Sequence, residues 1–399
     1  MCSLCLLALF AVASPAATLP PWSEGHLDIH HINTGFGESA FYILPDGTSL
    51  LVDAGVSNAK RPWRAEARPD ASRSAGEYLA RYILRALDGA PAKTIHYAML
   101  SHFHEDHMGA VNKKTPDSRT GPYKASGITE IPDFVPIAKI IDGLYPDYDG
   151  PGGPWHDPKM NNYEKFLKWQ MKNKGLAAER FKVGVNNQIV LLNAPQKYPG
   201  FEIRNLAARG VVWTGKDGQT RDVFAGVPDN QKRENKSSIA FRLTYGKFKW
   251  FTGGDLDCRG VDTIPDLTPD IETAVAEICG HVDAMKANHH GNYDANSVAL
   301  LRLLSPRAIV IDTWGASQPC MNIWRRLKDK SVWPGPRDIF ATNVMPATAL
   351  ALHDEAAEVH SHVVIRVAPG GDSYTIYRVR DTDEKGVIET ATGPISCGQ

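Results

Sequence analysis

The sequence predicts an α/β fold built as one domain, and three observations carry that expectation. Short apolar runs bounded by turn residues alternate with stretches of helical periodicity. No internal repeat or low-complexity segment interrupts them. Three times, at residues 102–107, 253–255 and 289–291, a strand or the loop after it ends in histidine or aspartate, so the layers deliver potential metal ligands.

Residues 1–17 form an apolar run that closes in small side chains, the shape of a secretory signal and too short to span a bilayer. The expectation is a leader over residues 1–18, a domain over 26–380 and a tail over 381–399. It goes with a periplasmic or secreted location and no membrane span in the mature chain. Loss of the leader leaves Cys258, Cys279, Cys320 and Cys397, which in an oxidising compartment form two disulfides in one of three pairings or stay as buried thiols.

From His26 to Gly55, the run Phe41–Leu44, the turn Pro45-Asp46-Gly47 and the run Ser49–Val52 read as paired strands leading into Asp53-Ala54-Gly55. Leu79, Tyr82, Ile83 and Leu87 fall at helical spacing, with Gly89 as a C-cap. Ile95–Leu100 is a strand. Residues 112–176, rich in Pro, Gly, Asp and aromatic side chains, read as an insertion over the surface that either shapes a pocket or packs on itself. Ser238–Thr244 and Phe248–Thr252 form a hairpin ending in Gly253-Gly254-Asp255. Glu272–Cys279 is helical, Val282–Asn288 is a strand ending in His289-His290-Gly291, and Ala308–Ile311, Val363–Val367 and Tyr374–Tyr377 complete the strands.

Charged residues make up 22% of the chain and the formal net charge is −1, so no overall field draws it to nucleic acid or to an anionic membrane. No stable nucleic-acid partner is expected, and the sequence carries no signature of oligomeric state.

The densest chemistry is His102-Phe103-His104-Glu105-Asp106-His107. Imidazole nitrogen and carboxylate oxygen are the donors that Zn²⁺ and similar borderline cations take. A lone histidine is usually structural, but four such donors in six residues at a strand end make a ligand set. Alternation points His102 and His104 one way, and the start of a helix turns Asp106 and His107 to the other, which suits two neighbouring metals.

This pattern resembles the His-x-His-x-Asp-His hallmark of the metallo-β-lactamase superfamily, and the likeness extends over nearly the whole chain. It implies a four-layer αββα sandwich and a hydrolase holding one or two zinc ions, with manganese or iron as other occupants. The resemblance casts Asp53 in Leu-Val-Asp-Ala-Gly as a residue that orients a ligand histidine, and Asp255 in Thr-Gly-Gly-Asp-Leu as a carboxylate shared by both metals. Asn33-Thr34-Gly35-Phe36-Gly37-Glu38-Ser39, Asn235-Lys236-Ser237-Ser238 and Lys286-Ala287-Asn288-His289-His290-Gly291 are similar to one branch of it. That branch contains the hydrolase domain of DNA-uptake competence channels and the choline-phosphate esterases. There, one histidine of the His289/His290 pair is a ligand and the other meets substrate or leaving group, in an order that stays open.

One position departs from the branch, which has a later Gly-His-Pro histidine where this chain reads Ala316-Ser317-Gln318-Pro319. Gln318 is a weak ligand, so the metal at Asp106, His107 and Asp255 is weakly held, completed by water or completed from elsewhere, with His353, His360, His362, His156 and His281 as candidates. Gln318 then joins Tyr145, Tyr148 and Trp155 as candidate substrate contacts, the aromatic rings suiting a stacked ring or a cationic head group. Lys232, Arg233 and Lys236 read as a solvated basic loop, with contact to a phosphate as the alternative. The implied reaction is attack by a metal-activated hydroxide oriented by Asp106, with His289 assisting the leaving group, on a phosphodiester in a small-molecule or cell-envelope substrate. Carboxylic ester, lactone or β-lactam hydrolysis, and a catalytically weak metal-binding protein of the same fold, stay open.

Overall fold

The computed structural model describes residues 17–56, 63–149, 157–229, 232–258, 269–353 and 355–398. The expected leader up to residue 16, Trp155 and His156 lie outside the described residues.

Strands β1 (Leu27–His31), β2 (Ala40–Ile43) and β3 (Ser49–Val52) run antiparallel. Helix α1 (Ala75–Ala86) then carries the chain over to β4 (Ile95–Met99), parallel to β3. The one-turn α2 (Glu105–Met108), β5 (Ile137–Asp142), α3 (Pro158–Lys174) and β6 (Ala177–Arg180) follow. The second sheet starts with β7 (Phe201–Ala208), β8 (Val211–Trp213), β9 (Thr220–Asp222), β10 (Ala240–Tyr245) and β11 (Phe248–Thr252). Three helix–strand units extend it in parallel: α4 (Ile271–Cys279) with β12 (Ala284–Lys286), α5 (Val298–Leu304) with β13 (Ala308–Ile311), and α6 (Met321–Lys328) with β14 (Asp338–Ala341). After a small ribbon of β15 (Asn343–Val344) and β16 (Val359–His360) around α7 (Pro346–Ala351), the chain returns to the first sheet as β17 (His362–Val367), β18 (Ser373–Val379) and β19 (Ile388–Ser396). The sheets have nine strands in the order β19-β18-β17-β1-β2-β3-β4-β5-β6 and eight in the order β14-β13-β12-β11-β10-β7-β8-β9.

Strand alternation explains the layering. Ala40, Tyr42, Leu50 and Val52 of the first sheet meet Phe241, Leu243, Trp250 and Val310 of the second in one central core. The intervening Phe41, Ile43 and Leu51 face outward under α1 and α3, packing with Leu79, Ile83, Tyr163 and Phe166. On the other outer face Phe251, Met285, Ile309 and Ile311 pack beneath Val275, Leu301 and Ile323 of α4, α5 and α6. The result is the expected αββα order of layers. Each long helix is bounded by local chemistry: Ser74 caps α1 by accepting the N–H of Glu77 at 3.0 Å, and Asp157 caps α3 by accepting that of Met160 at 3.0 Å.

Two expectations are corrected. Residues 112–176 are not a surface excursion, because they supply β5 to the middle of the parallel strands and α3, with Tyr123, Ile128 and Phe166, to an outer core. Residues 381–399 are not a tail, because Ile388–Ser396 forms edge strand β19 and Gly398 N–H donates to Asp283 at 2.6 Å. Most of β19 is exposed, so its sequence lacks the apolar alternation that marks a strand. The four cysteines from Cys258 on are free thiols. Among the described residues no helix is long and apolar enough to cross a membrane.

Candidate metal centre

The chain segments that carry the predicted ligands leave the carboxyl ends of parallel strands on one side of the sandwich, where layered α/β sheets generally open a crevice. Asp53 follows β3, His102 follows β4, Asp255 follows β11 and the His289-His290 pair follows β12.

Alternation sets the first loop. Phe103 turns into the outer core, its ring 6.1 Å from Tyr148 and 6.2 Å from Tyr163, and its N–H donates to Glu234 at 3.0 Å. His102 and His104 therefore face the other way, with His102 Nε2 and His104 Nδ1 only 3.1 Å apart. His104 is the N-cap of α2, whose single turn presents Asp106 and His107. Close backbone approach fixes that turn: Glu38 N–H donates to the Asp106 carbonyl at 2.8 Å, and a Cβ on Gly55 would sit 1.7 Å from the same oxygen. Only glycine fits there.

Two donor groups share one carboxylate. Asp255 Oδ2 is 3.1 Å from His107 Nε2 and 3.4 Å from His290 Nε2, and His290 Nε2 is 3.2 Å from Asp106 Oδ2. The same Oδ2 lies 3.8 Å from His102 Nε2 and 3.9 Å from His289 Nε2. Glu38, His107, Asp255 and His290 place one ligand atom each within 4.8 Å of one another, all buried.

The surroundings aim these atoms inward. Asp53 accepts Ser101 N–H at 2.7 Å and His107 Nδ1–H at 2.9 Å, which leaves His107 Nε2 for the centre. His290 Nδ1 donates to the Asp312 carbonyl at 2.8 Å and His289 Nδ1 to Asp294 at 2.7 Å. Lys286 lies beneath, 2.9 Å from Glu38 and donating to the Gly254 carbonyl at 2.7 Å. His289 and His290 both have left-handed backbones, with φ of 46° and 54°, a conformation that costs about 1–3 kcal/mol per residue. A buried frame holds them. Glu272 accepts Asn288 Nδ2–H and the N–H groups of Asn296 and Ser297, while Asn296 pairs with both backbone groups of Asn288.

The donors fit a cation. Among the described residues His107 Nε2 and Asp255 Oδ1 are buried with no hydrogen-bond partner, which a native interior rarely tolerates unless something else is bound. Burial holds His102 and His104 below their ordinary pKa, as the neutral imidazoles that coordination needs. Burial works against a charged His107 or His290, yet the carboxylates, Asp255 foremost, outweigh it and raise both. These carboxylates call for positive charge at this point, supplied by protons or by a metal ion.

The predicted substrate contacts fare differently. Gln318 Oε1 is occupied by the N–H groups of Trp314 and Gly315, at 2.9 and 3.0 Å, so it shapes its own loop. Tyr148 is buried and donates to Asp142 at 2.6 Å, while Tyr145 reaches Met171 Sδ at 3.9 Å. Both pack where apolar surface was to be covered, away from the ligand atoms. His360 pairs with Asp381 at 2.7 Å, His362 accepts Asn33 N–H at 3.0 Å, and His353 follows α7, so none of the three completes the cluster. His290 stands beside Asp106 and His107 instead. Lys236 is not solvated: it is fully buried, 3.4 Å from Asp257.

Sequence reasoning named Glu38, Asn235 and Lys286 only as parts of segments and assigned them no role at the site. Asn235 Nδ2 lies 3.1 Å from His289 Nε2. It missed Glu272, Asp294 and Asp312 altogether. Asp312 ends β13 as Asp53 ends β3, a repetition that could have found it.

The chain is similar to several known proteins. The chain is 23% identical over 292 residues to ComE operon protein 3 of Bacillus subtilis (strain 168), a match covering 72% of this chain and only 28% of that relative. Among solved structures it is similar to CmlA, a diiron β-hydroxylase from Streptomyces venezuelae (11% identity, TM-score 0.39, 88% of this chain and 55% of that one). It is also similar to Zn²⁺-bound PqqB from Methylobacterium extorquens (11% identity, TM-score 0.34, 71% and 88%). Residues 33–129, which span Glu38, Asp53 and the whole 102–107 loop, match the family model of the metallo-beta-lactamase superfamily.

Proposed function

We propose that the protein is a metal-dependent hydrolase with two adjacent metal positions, acting on a phosphodiester in a small-molecule or cell-envelope substrate after export. The observation that carries this reading is the sharing of buried Asp255 Oδ2 between two donor groups. His102, His104 and His289 with Asp255 would hold one ion, and Asp106, His107 and His290 with Asp255 the other. His290 thereby takes the place that Gln318 leaves without a histidine. Zinc suits these donors, with manganese or iron as alternatives. A divalent ion there would activate water and stabilise charge on a phosphoryl oxygen.

The chain's own groups do the rest. Asp53 and Asp312 fix His107 and His290 in the tautomers that face inward. His289 is half-buried, and Asn235 and Asp294 orient its ring from either side. Asp294 accepts its Nδ1–H, which turns Nε2 to the centre, so as a ligand His289 has no free nitrogen to carry a proton to a leaving oxygen, the role expected of it from the sequence. The test is elemental analysis of the purified protein with hydrolysis of bis(p-nitrophenyl) phosphate, repeated on His104→Ala. Near two ions per chain and turnover that the variant loses are expected. Two ions without diesterase turnover, but with turnover of carboxylic esters or lactones, would overturn the substrate class. No bound ion after metal addition would overturn the metal centre.

A further inference from the structure

A cleft of about 340 Å³ opens at the ends of β5, β6, β7 and β8. Among the described residues its wall carries Arg180, Arg209 and Lys232 and no carboxylate, over an apolar floor that includes Phe181, Val183 and Phe224. Arg209 and Lys232 have acidic partners in Glu234 and Asp229, so Arg180 is the cation that among the described residues has no carboxylate against it, a local charge that a net charge of −1 conceals.

The cleft connects to the histidine loop through two direct contacts. Phe103, between His102 and His104, donates its N–H to Glu234 at 3.0 Å, and Glu234 accepts Arg209 Nη1–H at 2.7 Å. On the same side Lys232 and Ser237 bracket Asn235, which faces His289. Arg180 is held without being neutralised: Nε and Nη2 donate to the carbonyls of Leu144 and Tyr145 at 2.6–3.2 Å. Those bonds fix the guanidinium plane while its charge and remaining N–H groups stay available to an oxyanion. Lys232 is paired with Asp229 at 2.8 Å, and Asp229 is more than half exposed, a weak pairing that a doubly charged ligand can displace.

We propose that this cleft is a second anion subsite, which binds a phosphate group elsewhere on the substrate while the scissile ester lies at the metal centre. It rests on the hydrolase reading above and narrows it: the preferred substrate carries an additional phosphate joined to the scissile ester by an apolar or aromatic body that lies on the Phe181 and Phe224 floor. The charge-assisted hydrogen bonds of Arg180 and Lys232 select that phosphate.

The test compares thymidine 5′-(p-nitrophenyl phosphate) with the same ester carrying a 3′-phosphate, on the metal-loaded protein. The added phosphate is expected to lower KM about tenfold, the scale of one or two hydrogen bonds to a charged group. In Arg180→Gln and in Lys232→Ala, each checked by thermal melting, that advantage shrinks toward unity. Calorimetry with thymidine 3′,5′-bisphosphate gives a readout that needs no turnover, and its affinity should fall in both variants. Turnover of both esters with equal KM in the parent, or an advantage unchanged in both variants, overturns the subsite. If neither ester is turned over yet the bisphosphate binds and both variants weaken it, the subsite stands and the phosphodiesterase reading fails.

Discussion

Two buried aspartates flank the same histidine loop and live under opposite rules. Asp142, behind the loop, is saturated: Oδ1 accepts the N–H groups of Leu144 and Tyr145 at 2.8 and 2.7 Å, and Oδ2 the hydroxyls of Tyr148 and Tyr163 at 2.6 and 3.0 Å. Asp255, in front, has one oxygen with no hydrogen-bond partner among the described residues and the other ringed by imidazole nitrogens. Burial raises the pKa of Asp142, whereas at Asp255 burial is outweighed by His107 and His290 and the pKa falls well below the ordinary range. Burial of an acid therefore does not mark a site. An unfilled oxygen beside one ringed by imidazole nitrogens does, because together they leave both charge and bonding capacity for a cation. Phe103 joins the two regions, its ring on the tyrosines and its neighbours His102 and His104 at the centre.

If the contrast is real, the two aspartates separate cleanly on substitution. Asp255→Asn removes the shared charge, so at least one ion should be lost per chain and phosphodiester turnover should drop about 10³-fold or more. Tyr148→Phe leaves Asp142 one donor short, which costs about 1–2 kcal/mol of stability while metal content stays at the parental value. Equal metal loss in both variants would break the comparison. A smaller effect is expected at Asp53, which only orients His107: Asp53→Ala should weaken metal affinity or turnover by about 10–100-fold. An Asp53→Ala protein as inert as Asp255→Asn would make Asp53 a ligand instead. Chelation adds a thermal version of the same contrast. Removing the ions should lower the melting temperature of the parent and of Tyr148→Phe, since a ligand bound only to the folded state stabilises it, and should lower that of Asp255→Asn by less.

The front of this arrangement was legible in the sequence and the back was not. His102, His104, Asp106 and His107 lie on one short run after an apolar strand, and Asp255 and the His289-His290 pair repeat that placement, so periodicity alone brings them to strand ends. What holds them comes from far along the chain: Glu234 reaches Phe103 across 131 positions, and Lys286 meets Glu38 from the other sheet. No local pattern encodes such pairings. Tyr148 and Gln318 misled for a related reason, because a polar side chain in a loop looks alike whether it faces substrate or satisfies a backbone. The layers were readable wherever both faces of a strand are buried or alternate. Strand β19, mostly exposed at the sheet edge, was not.

Glu130 lies between the two extremes and offers the finest test. It is buried, with the Ser74 hydroxyl as a hydrogen-bond donor, and burial pushes its pKa up to about 7 from 4.5, an effect that Asp133 strengthens. The folded chain therefore binds a proton that the unfolded chain has already released between pH 4.5 and 7. The unfolded state holds fewer protons there, so stability is complete below pH 4.5 and falls as pH rises through 7. Glu130→Gln mimics the protonated acid at every pH. Its melting temperature relative to the parent should climb between pH 4.5 and 7 and level off above that, by an amount that solvent screening keeps modest, with no change in metal content. A constant difference across that range would mean that burial does not shift Glu130, and the gradation from filled to unfilled acids would lose its middle term.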